Sequence, residues 1–176
     1  NDRGIPLKAY EILKGKILGI IDKVEVQPYV TKWEKAVNAI ADGWGDDDVD
    51  FFLGTFFQAK YSDTVLQYRD LQDDRYHKSI YLDEFDKKIG FKHRAGSTKH
   101  VQRVKDFVNS ELPYFGAIYQ QLSHDYGDWQ TPAFAWFNAI NEQDTQYYLV
   151  LSAINLDDVE KDEKYDLVIR EFDRLY

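Results

Sequence analysis

The chain has 176 residues and a formal net charge of −9, and its apolar (44%) and charged (30%) fractions are those of a globular domain with a real core, not of a disordered segment. The absence of Cys excludes disulfides, thiolate metal sites and Cys nucleophiles and fits a cytoplasmic location, while the acidic balance argues against a surface given over as a whole to nucleic acid. The longest apolar runs, near residues 17–21 and 147–153, fall far short of the roughly 20 residues of a membrane span, so no membrane partner is expected.

The opening residues, Asn1-Asp2-Arg3-Gly4-Ile5-Pro6-Leu7, lack an initiator Met and run straight into a helical pattern, which reads as a segment of a longer, multidomain protein. Leu7 to Val24 form the first predicted helix. Tyr10, Leu13, Ile17, Ile20, Ile21 and Val24 recur at helical spacing on one face, and Pro6 suits the first helical position. Gly15 and Gly19 weaken this helix or admit a close neighbour. Pro28 interrupts the pattern, and a second face of Tyr29, Trp33, Ala36, Val37 and Ile40 runs to the Gly43-Trp44-Gly45 stop. Asp46, Asp47 and Asp48 then open a third helix as capping acids, with Val49, Phe52, Leu53, Phe56 and Phe57 inward.

Residues 62–76 are polar and only partly helical in pattern, and residues 80–89 make a further helix. After a loop at 90–96, Ser97 or Thr98 caps a helix with Val101, Val104, Val108 and Leu112 inward. Pro113 kinks or restarts that helix, which continues through Ile118, Tyr119 and Leu122 to Tyr126. Gly127 and Pro132 bracket a turn. Two short apolar helices follow, 133–141 and 146–155, with a buried strand as the alternative for the second. Asp157 or Asp158 starts the last helix, with Tyr165, Val168, Ile169, Phe172 and Tyr176 on its inner face. The expected architecture is all-α: a single domain, 1–176, built as an irregular multi-helix bundle of about eight helices.

The opening Asn-Asp-Arg-Gly-Ile-Pro-Leu, followed by Ile12-Leu13-Lys14, resembles the Asn-x-x-Gly-x-x-Leu motif of the GmrSD-like restriction proteins, also called domain of unknown function family 262. Asp50-Phe51-Phe52-Leu53 with Ala59-Lys60-Tyr61, the segment from Tyr81 to Lys87, and Tyr114 to Leu122 are similar to helices of the same family. The resemblance implies the central helical region of a modification-dependent restriction or anti-phage protein. In that arrangement a ParB-like domain with an Asp-Gly-Gln-Gln-Arg motif, linked to nucleotide hydrolysis, precedes this region, and an HNH nuclease often follows it. This chain carries neither motif. No catalytic residue is therefore assigned, no cofactor is expected in this segment, and nucleotide and divalent metal would belong to the whole protein. Only Asn1, Gly4 and Leu7 match the family's second motif.

Two patterns are candidate contact sites. Asn1, Asp2, Arg3 and Gly4 suit the edge of a phosphate site: Gly allows close backbone approach, a helix N-terminus offers N–H groups, and Arg3 adds a fork of donors. In the competing reading, which takes precedence for the segment alone, Asp2 and Gly4 make a helix-capping turn and Leu7 staples it. From Lys87 to Lys105 there are seven Lys or Arg and no acid. Lys88, Lys92, Arg94, Lys99, His100 and Arg103 are the DNA-contact candidates in this stretch, against the alternative of a solvated loop.

The remaining patterns favour structure over chemistry. Asp46, Asp47, Asp48 and Asp50 fail the calcium-loop spacing, because Phe51 and Phe57 stand where Gly and Glu are required. His77, His93, His100 and His124 match no zinc motif, so no metal site is expected, and no nucleophile elbow or P-loop occurs. Phe134, Trp136, Phe137, Tyr147 and Tyr148 could stack a flipped base but are better read as core. The function expected is a helical domain that positions the nucleotidase-like and nuclease domains and contacts DNA. The alternative is a protein–protein interaction module with no nucleic-acid role.

Overall fold

The computed structural model describes residues 6–72, 74–130 and 134–175, and among these every regular element is helical. The helices are α1 (Ala9–Leu18), α2 (Gln27–Trp44), α3 (Asp46–Tyr61), α4 (Val65–Asp70), α5 (Tyr76–Ser79), α6 (Asp83–Ile89), α7 (Lys99–Asp106), α8 (Leu112–Gly127), α9 (Phe134–Ile140), α10 (Thr145–Ala153) and α11 (Lys161–Leu175). A π-helical turn, Phe107–Glu111, joins α7 to α8 without a break. The irregular helical bundle is as expected. The higher element count comes from the short pieces α4 and α5, in the polar stretch whose pattern was weakest, and from the division of the helix after residue 98 into α7 and α8.

Local chemistry sets the boundaries. α1 begins at Ala9, not at Pro6, because the Glu11 carboxylate turns back to accept the Lys8 N–H at 2.9 Å and so closes the first turn there. It ends at Leu18 instead of Val24. Ile21 is still buried, but Val24 is 91% exposed and contributes nothing to the face assigned to it. Pro28 sits in the first turn of α2, where its missing N–H costs nothing. Gly45 adopts φ +104°, a value available to Gly, and this lets the chain reverse from α2 directly into α3.

Of the two expected alternatives, Pro113 restarts the α-helix: it sits in the first turn of α8, straight after the π turn. The Leu112 N–H reaches back to the Phe107 carbonyl, a five-residue step, and this wider turn makes room for a ring that cannot donate to residue 109. The ambiguous segment after residue 145 is helix α10. The last helix starts at Lys161, later than expected, because the Asp158 carboxylate accepts the N–H groups of Asn155 and Glu160, each at 3.0 Å, and holds residues 155–160 as a turn.

α3 is the hub, packing against α1, α2, α5, α6, α8 and α10. Its inward residues Val49, Phe52, Leu53, Phe56 and Phe57 are all buried, as their spacing predicts. Phe57 stacks on Tyr76 at 5.8 Å and on Phe107 at 6.1 Å, and Phe56 lies 5.2 Å from Phe115. One aromatic core therefore ties the ends of the chain to its middle. No described helix is long and apolar enough to cross a membrane.

Candidate functional site

The opening motif, Asn1, Asp2, Arg3 and Gly4, lies outside the described residues. Leu7, the proposed staple, is described and is 65% exposed, so it does not pack as a staple would.

The basic segment folds as the end of α6, a loop through residues 90–98, and α7. Its charges are largely answered from outside the segment. Lys88 pairs with Asp63, Lys92 with Asp83 at 2.8 Å, Arg94 with Asp86 at 2.9 Å, and Lys105 with Glu25 at 2.6 Å. Arg103 pairs with Glu111 across the π turn at 2.5 Å, donates to the Tyr61 hydroxyl at 3.0 Å, and lies over the Phe91 ring. Burial disfavours the Arg103 charge, but Glu111 and Tyr61 outweigh it and hold the guanidinium above its usual pKa. His93 and His100 share a hydrogen bond of 2.9 Å between Nδ1 and Nε2, with His100 buried.

Of the six DNA-contact candidates, Lys88, Lys92, Arg94 and Lys99 are therefore on the surface, while His100 and Arg103 are turned into the fold. Among the described residues, Lys87 and Lys99 are the cations of this stretch with no acid within ion-pair distance. Counting charge along the sequence overstated the field, because Glu25, Asp63, Asp83, Asp86 and Glu111 stand outside the stretch and fold onto it.

The acids that open α3 do not cap it. Gly45 holds the cap position with no side-chain cap bond. Asp47 pairs with Lys8 at 2.7 Å, Asp48 accepts the Tyr119 hydroxyl at 2.5 Å, and Asp50 accepts the Tyr10 N–H at 2.8 Å and the Tyr76 hydroxyl at 2.6 Å. They clamp α1, α5 and α8 onto α3, using carboxylates placed where the helix dipole also favours them. Burial raises the Asp50 pKa despite these donors. Two further tyrosine–carboxylate pairs, Tyr165 with Asp125 at 2.6 Å and Tyr126 with Asp144 at 3.1 Å, do the same elsewhere. Such partners lie tens of residues apart, and no sequence spacing announces them.

Catalytic constellations do not assemble among the described residues. No group of three metal-ligating side chains converges. Ser123, His124 and Asp125 are consecutive on α8. Ser123 is buried against the Tyr147 hydroxyl at 3.4 Å, whereas the His124 side chain is 70% exposed. His77 is buried in the fold and its pKa is lowered by desolvation.

The aromatic set divides. Tyr147 is core, Trp136 and Tyr148 are half-buried, and Phe137 is 52% exposed. The Phe134 side chain lies outside the described set. Two clefts open beside α10 and α8. One, of about 530 Å³, is lined by Thr55, Gln58, Tyr68, Asp74, Asp144 and Tyr148. The other, of about 450 Å³, includes Asp48, Tyr119, Ser123 and His124.

No family model matches the chain, and comparison with curated proteins and with solved structures yields no match.

Proposed function

We propose that this chain is a docking domain, the central helical region of a GmrSD-like restriction protein, which holds nucleotidase-like and nuclease domains in relation. The observation that carries the docking role is α9. Its sequence, Phe134 to Ile140, is apolar but for Asn138, and Asn138 is turned inward beside Ala135, bonded to Gln146 at 3.0 Å. Phe137 and Ile140, three residues apart and so on one side, are 52% and 59% exposed. A helix apolar all round is ordinarily covered all round, and an exposed apolar face marks a contact surface. The choice of partner, domains of the same polypeptide, is supported by the opening motif's resemblance to the family.

DNA contact is the narrower part of the proposal. It rests on Lys87 and Lys99, because the other cations of the segment, Lys88 included, are engaged by acids or buried among the described residues.

Two measurements test this reading. The coding sequence upstream of Asn1 should encode an Asp-Gly-Gln-Gln-Arg motif, and a start codon immediately before Asn1 would refute the family assignment. In the longer protein, Phe137→Asp with Ile140→Asp should expose interdomain sites to limited proteolysis, and unchanged protection would refute docking through α9. Duplex binding measured against salt separates the DNA role from a purely protein-binding module. A steep salt slope lost in a Lys87→Glu, Lys99→Glu double variant supports DNA contact, and a flat response refutes it.

A further inference from the structure

We infer that the cleft between α3, α4 and the start of α10 is a binding site for a guanidinium group. The inference is independent of the α9 surface. Phe51, Thr55 and Gln58 fall at helical spacing, so one stripe of the hub helix faces the cleft. Two of the three are polar, and they are among the most buried polar residues of the chain, Thr55 at 4% and Gln58 at 5% exposed. On a helix whose other inward side chains are Val, Leu and Phe, they make the stripe that faces the cleft polar. Gln58 donates its Nε2 to the Tyr68 carbonyl at 2.9 Å, which fixes the carboxamide. No described residue donates to its Oε1 or to the Thr55 hydroxyl, and neither atom is among the sealed polar atoms without a partner, so both open onto the cleft.

The walls select the ligand. The Tyr68 and Tyr148 rings meet edge to face at 5.3 Å and give the cleft an aromatic side. Asp74 and Asp144 stand on the lining, and among the described residues no Lys or Arg does. Among the described residues Asp74 reaches the exposed Arg75, at 3.8 Å, a contact that a ligand displaces at little cost. The lining is thus rich in acceptors and π faces and free of cations, in a chain of net charge −9. It repels phosphates and carboxylates and attracts a cation that carries several N–H donors. A guanidinium meets every term: it is planar enough to lie on a tyrosine ring, it presents five donors to the acceptors, and it cannot lose its charge. A cleft of about 530 Å³ has room for such a group and the chain that bears it.

Such a group has two sources, an arginine of a partner protein or a free guanidino compound, and the test separates them. The probes are a capped arginine-containing peptide, agmatine, and the same peptide with citrulline, which keeps the shape without the charge. The readouts are chemical shifts of the Gln58 carboxamide and of the Tyr68 and Tyr148 rings. We expect saturable shifts with arginine and an affinity about tenfold lower with citrulline. A similar loss is expected in Tyr148→Leu and in Asp144→Asn. Asp74→Asn, at an exposed carboxylate, is a variant that leaves the fold untouched and should weaken binding in proportion to the charge removed. Binding of the peptide but not of agmatine assigns the site to a protein partner, and equal binding assigns it to a small molecule. Citrulline binding as well as arginine, affinity unchanged in all three variants, or no saturable shift with either cation would each overturn the inference.

Discussion

Replacing Asp86 with Asn should destabilise the domain by about 1.5–3 kcal/mol, the worth of a hydrogen bond to a charged partner. The Asp86 side chain has no solvent exposure and both of its oxygens are in use, one on the Lys92 N–H at 2.7 Å and one on the Arg94 guanidinium at 2.9 Å. Breaking a fully buried ion pair costs about 3–5 kcal/mol. Arg94 is 63% exposed and rehydrates when released, which lowers the expectation to the smaller range. Asn fills nearly the same volume and keeps an acceptor for Lys92, so the difference reports the charge and not a cavity. Asp86→Ala also removes that acceptor, adding about 1 kcal/mol. For a chain of this length each kcal/mol is about 2–4 °C in Tm, so the Asn variant should melt roughly 3–12 °C lower. Urea unfolding measures the loss, with an unchanged m-value showing that the same surface is exposed. Hydrogen exchange should quicken through residues 90–98 and not in α1. A loss under about 0.5 kcal/mol, the scale of an ordinary surface change, would refute the view that Asp86 organises the basic loop. The variant also frees Arg94 and removes one negative charge, so any duplex affinity at low salt should rise.

Phe57→Ala should cost about 3–5 kcal/mol by denaturant midpoint, since the ring is fully buried between Tyr76 and Phe107. A loss near 1 kcal/mol would mean that the core does not centre on α3. Gly90→Ala should cost about 1–2 kcal/mol, because Gly90 closes α6 at φ +78°, a left-handed value. Gly116→Ala, in a regular helix with the nearest atom of Ile40 at 3.4 Å, should fall within about 1 kcal/mol of the parent, and thermal melts of the two variants read the contrast. The Lys164 ammonium and two backbone N–H groups hold the Asp158 pKa down to about 2, below its ordinary 3.8. Its contribution to stability is therefore complete above pH 3.8 and lost as pH falls toward 2, and Asp158→Asn should flatten the acid limb of a stability profile in that window. Asp50 has the opposite sign: burial raises its folded pKa, so its term grows as pH falls through that raised value to 3.8, and Asp50→Asn should remove this gain.

The sequence by itself determined the helical class and the buried face of nearly every long helix. Val49, Phe52, Leu53, Phe56 and Phe57 lie inward because a 3.6-residue period on an amphipathic segment admits one burial solution. It also marked Pro28 as the break between the first two helices, and the structure sets that ring in the first turn of α2, where the missing donor is harmless. The sequence also offered the restart at Pro113, but not the π turn before it, because local propensity does not register the wider step by which the Leu112 N–H reaches the Phe107 carbonyl. Only the tertiary structure decided the meaning of the charges. The basic stretch is solitary along the chain and largely neutralised in space, because its carboxylate partners arrive from α6, the π turn and loops up to 80 residues away. The acids of α3 likewise look like caps until α1, α5 and α8 bring Lys8, Tyr76 and Tyr119 to them. The cleft belongs to the same class of fact: Thr55, Gln58, Tyr68, Asp144 and Tyr148 come from three helices and the turn before one of them, and only their packing makes them neighbours. Periodicity is a property of one segment and can be read from it, whereas charge pairing and concavity are properties of contacts between segments.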